Sequence, residues 1–191
     1  MTPPAISVII PGFNRGDIIR HTLASLAAAS AGLSVETIIV DDGSTPPLSA
    51  TLAHLAYAPT RLIRQPNQGL LFARLTGLAA ATGRYVLFLD SDDLISPDKL
   101  RLQLAAMRAA DASVSYTDTA RCTLGESGAG PLFPDKPALA VSDSATFHIL
   151  VQPAPHSPVY LRDYLVRVVR EAIFPPSPLY NSVAEIWFYH N

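Results

Sequence analysis

Cysteine is almost absent from this 191-residue chain: Cys122 stands alone, so no disulfide can form within it and the fold must be held by burial. An excess of positive charge is missing too. Lys and Arg number 14 against 16 Asp and Glu, which lacks the basic field that nucleic-acid phosphates select, so no nucleic-acid partner is expected. No uninterrupted run of about 18 apolar residues occurs, so no transmembrane segment is expected. The opening Met1-Thr-Pro-Pro-Ala-Ile6 lacks the charged start and apolar stretch of a secretory leader. With the lone thiol, these features point to the cytoplasm. Charged residues are scarce overall, 16% against a typical value of about 25%, which keeps open a surface that sits on the inner face of a membrane or on further protein.

Missing motifs narrow the chemistry further. The turn after the first apolar run offers only Gly12 and Gly16, not the Gly-x-Gly-x-x-Gly that packs a pyrophosphate on a helix. That weighs against a nicotinamide-dependent oxidoreductase. The five histidines include no pair at zinc-binding spacing, and no Gly-x-Ser-x-Gly elbow is found. Cys122 has only Arg121 as a basic neighbour and reads as inert.

What the chain has is apolar residues, 49% of the total. A chain of this length buries roughly 70% of its unfolded surface, and one domain over 1–191 is expected. Residues 6–10, 35–40, 61–64, 85–89 and 113–117 read as strands; 17–31, 48–57, 70–81 and 99–110 read as helices. Asp17 is expected in the first turn of its helix, where its charge suits the dipole. Ser96 is expected to cap the helix at 99–110 with Pro97 and Asp98 behind it, and Gly83 to close the helix at 70–81 in a left-handed conformation. Short apolar strands separated by helices imply a mainly parallel sheet covered on both faces, an α/β doubly wound fold. The Gly, Pro, Ser and Asp-rich stretch 122–144 is too long for an ordinary connection and reads as a mobile or functional loop. Residues 182–191 read as a helix running to the last residue, as though the chain were cut from something longer.

Ligands of open α/β sheets bind outside the carboxyl ends of the strands. Polar clusters stand there: Pro11-Gly-Phe13-Asn14, Asp41-Asp42, and Asp90-Ser-Asp92-Asp93. An Asp-x-Asp pair offers two hard oxygens on a tight turn, suited to Mg²⁺ or Mn²⁺ held jointly with substrate phosphates. The alternative is an acidic turn that caps the next helix. Asp42 reads either as a turn residue or as an acceptor for a base N–H or a ribose hydroxyl, and Phe13 either as core or as a face for a planar base. His156, in Pro-His-Ser-Pro, reads as a solvated loop histidine.

Four segments in order, Ile6-Ser-Val-Ile-Ile-Pro-Gly-Phe-Asn14, Val40-Asp-Asp-Gly-Ser44, Asn67-Gln-Gly69 with Ala73-Arg74, and Leu89-Asp-Ser-Asp-Asp93, resemble those of the family-two inverting glycosyltransferases of GT-A fold. The resemblance implies a nucleotide-diphospho-sugar donor, most often a UDP-sugar, a divalent cation, and a saccharide or glycolipid acceptor, as in surface polysaccharide synthesis. It places Pro11 and Phe13 in the base pocket, Asp42 on the base, Gly69 and Arg74 beside it, Asp90 near the ribose and Asp92 on the metal. Residues 1–118 would form the nucleotide-sugar half and 119–191 the acceptor half, where His156 would fall. The family's late Glu-Asp pair corresponds to Glu185-Ile186 here, which makes Glu185 the implied catalytic base and departs from the pattern at the second position. That departure keeps a second reading in view, a non-catalytic sugar-nucleotide binding module.

Overall fold

The computed structural model describes residues 3–55, 60–120 and 156–171. Among these, six strands form one sheet in the order β3-β2-β1-β4-β6-β5. The strands are β1 (Ile6–Gly12), β2 (Val35–Asp41), β3 (Arg61–Arg64), β4 (Tyr85–Phe88), β5 (Val114–Ser115) and β6 (Val159–Leu161). The helices are α1 (Ile19–Ala29), α2 (Leu48–Leu52), α3 (Leu70–Ala80), α4 (Lys99–Ala110) and α5 (Arg162–Glu171).

β1 is the centre of the sheet, paired in parallel with β2 on one side and β4 on the other. All seven of its residues are buried, because the sheet has helices on both faces. Ile6, Val8 and Ile10 face a core shared with Ile19, Leu23 and Leu26 of α1 and Leu100 and Leu104 of α4. Ile9 faces the opposite core, with Leu71, Ala73 and Leu78 of α3. Each such Ile or Leu contributes on the order of 2 kcal/mol by leaving water, and the alternation along β1 is the period-2 signature of a strand.

The expected mainly parallel α/β sheet is observed, with an antiparallel margin. β6 runs antiparallel to β4, and β5 antiparallel to β6. β6 and α5 come from a stretch in which no element is read from sequence. Their signals are short: Val159-Tyr160-Leu161 is a three-residue strand, and α5 buries only a narrow apolar stripe that includes Leu165.

Local expectations fail in instructive ways. α1 starts at Ile19, so Asp17 lies in the preceding turn and not in the helix's first turn. α2 is five residues long, ending at Leu52 and not at Tyr57, which lies outside the described residues. Ser96 does not cap α4 with its side chain; a backbone turn from its carbonyl to the Lys99 N–H leads in, and Asp98 pairs with Arg101. Gly83 is not left-handed. It is needed for space: a Cβ there would meet the Ser7 nitrogen at 2.5 Å and the Ile6 carbonyl carbon at 2.7 Å, so glycine lets the chain enter β4 flat against β1. The loop at 122–144, Cys122 and the helix at 182–191 lie outside the described residues.

Candidate functional site

The strand order reverses at β1. From it the chain moves outward through β2 and β3, then returns to β4 on the other side of β1. A parallel sheet opens a crevice at the carboxyl end of such a switch point, and here a cleft of about 490 Å³ lies there. Pro11, Phe13, Asp42, Gly69, Asp90 and Asp92 all line it, with Arg15, Asn67 and Ser91. Arg74 lies beneath it, buried, with Nη2 2.8 Å from Asp90 Oδ1 and the guanidinium 5.7 Å from the centre of the Phe88 ring. Glu185 lies outside the described residues.

The first wall is the turn after β1. Phe13 is 48% exposed, so its ring is not core but an open face. Asn14 takes up a positive φ of 55°. Its backbone N–H donates to Ser44 Oγ (3.0 Å), and its side-chain oxygen accepts from the Thr45 N–H (2.9 Å). This residue, given no role in the sequence, ties the first loop to the second; its only sequence signal is that Asn tolerates left-handed backbone.

Adjacent aspartates end β2 with different tasks. Asp41 accepts from the backbone N–H groups of Ser44 (2.9 Å) and Leu48 (3.1 Å) and from Arg64 Nη1 (2.7 Å). Burial alone would push its carboxyl up. Hydrogen bonds from Ser44 and Leu48 and the Arg64 charge outweigh that and hold it below the usual carboxylate range. Asp42 is 3% exposed and accepts from Gln65 Nε2 (2.8 Å) and the backbone N–H groups of Gln68 (2.9 Å) and Gly69 (2.8 Å). It therefore fastens the start of α3, and since an ionised carboxylate has about four lone-pair sites, these three donors leave one unfilled on a residue that lines the cleft. Gly69 begins α3 at φ 89°, which side chains rarely adopt, and this turns its N–H onto Asp42.

The third wall is the acidic loop after β4. Two of its aspartates have structural partners: Asp90 is held by Arg74, and Asp93 Oδ2 lies 2.7 Å from His156 Nδ1. His156 is correspondingly not a solvated loop histidine, its side chain being 17% exposed. Thr22 Oγ1 donates to the Ser91 carbonyl (2.9 Å), and the Asp93 N–H to the Asp90 carbonyl (3.1 Å). Asp92 alone points outward, 44% exposed, with Arg15 Nη2 at 3.7 Å, an exposed ion pair of the kind that contributes under about 1 kcal/mol.

The donor set suits a shared cation. Among the described residues no group of three or more His, Cys, Asp or Glu gathers to cage a metal, while Asp92 offers an open hard oxygen beside a cleft. Mg²⁺ and its like are bound in that way, by one or two carboxylates and substrate phosphates. The lining carries three carboxylates and the Arg15 guanidinium, so its formal charge is negative.

The described residues contain no helix long and apolar enough to cross a membrane. The fold is shared with the 1–349 portion of S. aureus TarS in complex with UDP-GlcNAc, at a TM-score of 0.67 and 21% identity over 96% of this chain and 53% of that one. In sequence the chain is 36% identical over 122 residues to the succinoglycan biosynthesis protein ExoO of Rhizobium meliloti, covering 60% of this chain and 35% of that protein. It is 38% identical over 117 residues to the putative teichuronic acid biosynthesis glycosyltransferase TuaG of Bacillus subtilis, covering 60% of this chain and 46% of that one. The chain thus spans between a third and a half of the length of these relatives. The sequence profile described as Glycosyl transferase family 2 matches residues 7–141, through the turn after β1, the paired aspartates of β2 and the acidic loop after β4, and the chain belongs to that family.

Proposed function

We propose that this chain is the catalytic core of an inverting glycosyltransferase that binds a nucleotide-diphospho-sugar, a UDP-sugar in the first instance, with Mn²⁺ or Mg²⁺, and moves the sugar to a hydroxyl of a saccharide or glycolipid acceptor. The observation that carries this reading is the cleft itself: one open aromatic face, one buried carboxylate with a spare lone pair, and one outward carboxylate at the switch point of the sheet. Relatives named for succinoglycan and teichuronic acid biosynthesis support surface-polysaccharide assembly, and a fold neighbour in complex with UDP-GlcNAc supports the donor. In this reading the transfer takes place in the cytoplasm, at or near the inner face of the membrane.

In this reading Phe13 stacks on the base beside Pro11, and Asp42 accepts from the base with the lone pair that the α3 start leaves. Gly69 keeps that carboxylate in place. Asp90, steadied by Arg74, takes the ribose. Asp92 would hold the divalent cation, whose contribution when bound is to offset charge on the leaving diphosphate. Glu185 takes the proton from the acceptor hydroxyl as its oxygen attacks the anomeric carbon, which inverts configuration in one displacement. Residues 1–118 serve the donor and 119–191 the acceptor.

A thermal-shift screen of nucleoside diphosphates and nucleotide sugars with Mn²⁺ tests the donor assignment: a ligand at 100 times its dissociation constant stabilises by about 2.7 kcal/mol. No shift with any of them would remove the assignment. Glu185→Gln tests the base, since it should keep donor binding and lower transfer by roughly 10² to 10⁴; near-normal transfer contradicts it, and parallel loss of donor binding assigns Glu185 a structural role.

A further inference from the structure

The acidic loop is gripped at each residue but one. Asp90 is held by Arg74, the Ser91 carbonyl by Thr22, and Asp93 by His156, while the Asp93 N–H closes the turn onto the Asp90 carbonyl. Asp92 lies between two of these grips. Asp92 and Asp93 are adjacent, so the backbone that carries the Asp92 carboxylate is continuous with the residue that His156 holds.

His156 comes from a distant part of the chain and is itself fixed. Its neighbour Ser157, fully buried, donates from Oγ to the Thr117 carbonyl (2.6 Å) and accepts there from the Thr117 N–H (3.1 Å). The Ser157 carbonyl accepts from Lys99 Nζ (3.0 Å) and from Gln103 Nε2 (3.0 Å). Lys99 Nζ also donates to Thr117 Oγ1 (2.8 Å) and Gln103 Oε1 (2.6 Å), so its partners are neutral oxygens, and burial pushes the ammonium down to about 7. Two side chains one helical turn apart on α4 thus clamp the strand entry that delivers His156. A histidine held only to be solvated would need none of this.

We propose that His156 is a positioning residue of the donor site: through its bond to Asp93 it sets the direction of the Asp92 carboxylate, and so the gain in nucleoside-diphosphate affinity that a divalent cation brings. The inference rests on the donor-site reading above. It assigns His156 no contact with the donor and no part in proton transfer. In this arrangement Asp93 Oδ2 is engaged by His156, so Asp93 serves to place its neighbour.

The experiment is calorimetric titration of the full chain with UDP, with and without Mn²⁺, and with uridine, which lacks the diphosphate, for the parent, His156→Ala, His156→Asn, Asp93→Ala and the double alanine variant. The Mn²⁺-dependent gain for UDP should fall about tenfold in His156→Ala and in Asp93→Ala, and no further in the double variant, because coupled residues are not additive. Uridine should bind all five alike, and His156→Asn, whose amide can donate near the position of Nδ1, should recover part of the gain. An undiminished gain in His156→Ala overturns the proposal while leaving the donor site standing. So does an equal loss of uridine affinity, which marks a general structural defect. A parent that binds UDP with no Mn²⁺-dependent gain overturns the cation assignment at Asp92 and the proposal with it, and one that binds no UDP at all overturns the donor-site reading itself.

Discussion

Glu36 and Asp92 lie at opposite ends of the same sheet and meet opposite fates. At the amino end of β2, Glu36 is 3% exposed and every neighbour serves it: Ser7 Oγ donates at 2.5 Å, the Thr82 N–H at 2.8 Å, Thr82 Oγ1 at 3.0 Å, and Arg61 stands at 3.9 Å. Beyond the carboxyl end of β4, Asp92 is 44% exposed with one loose arginine. The residues between them form a series, from Asp41 with three donors and an arginine among them to Asp42 with three donors and a spare lone pair. An acid is structural where the fold saturates it and available for chemistry where the fold holds its backbone but leaves its oxygens open.

That contrast breaks if removing the closed acid is cheap. Glu36→Ala should cost on the order of 3 kcal/mol of unfolding free energy, because the Ser7 and Thr82 donors lose their acceptor inside the protein, with chemical denaturation as the measurement. Acid should act at the same place. Burial alone would raise the Glu36 carboxyl, but hydrogen bonds from Ser7 and Thr82 and the Arg61 charge hold it below its ordinary 4.5. Its stabilisation is therefore complete above about that pH and is lost as pH falls through the lower folded value. Glu36→Gln should flatten that acid limb of the stability curve.

Asp42→Asn sharpens the middle of the series. Its amide would turn a donor toward N–H groups that need an acceptor, so a loss of roughly 1 to 2 kcal/mol in stability is expected, together with weaker UDP binding. A variant as stable as the parent would contradict the fastening role. The smallest effect belongs to the open ring: Phe13→Ala should weaken UDP by about 1 kcal/mol through lost stacking and leave the unfolding midpoint nearly unchanged, as exposed positions do. A large fall in stability would return Phe13 to the core.

How much of this was legible in the sequence follows from how local each cause is. β1, β2 and β4 are buried on both faces, so their apolar runs announce them, and the ends of those runs mark the cleft. Pro11, Phe13, Asp42, Asp90 and Asp92 fall together for that reason, and Gly69 joins them from the start of α3. Pairings that join distant segments left no trace. Neither the Asp93–His156 contact, 63 positions apart, nor the clamp of Lys99 on Ser157 can be read from spacing. Gly83 shows the same limit, since its reason is the backbone of β1, not the end of α3. The short β6 and α5 were missed because a three-residue strand carries too little periodicity to register.

The central claim is that Asp92 is the one loop carboxylate left open for a cation shared with a diphosphate. Its most direct test is the affinity of UDP with and without Mn²⁺, measured by calorimetry on the parent and on Asp92→Ala, with unfolding free energies taken on the same samples. The account predicts that Mn²⁺ tightens UDP on the parent, that this gain vanishes in Asp92→Ala, and that stability changes by no more than about 0.5 kcal/mol. An Asp92→Ala variant that keeps the full Mn²⁺ gain, or one that loses it only by unfolding, would contradict it.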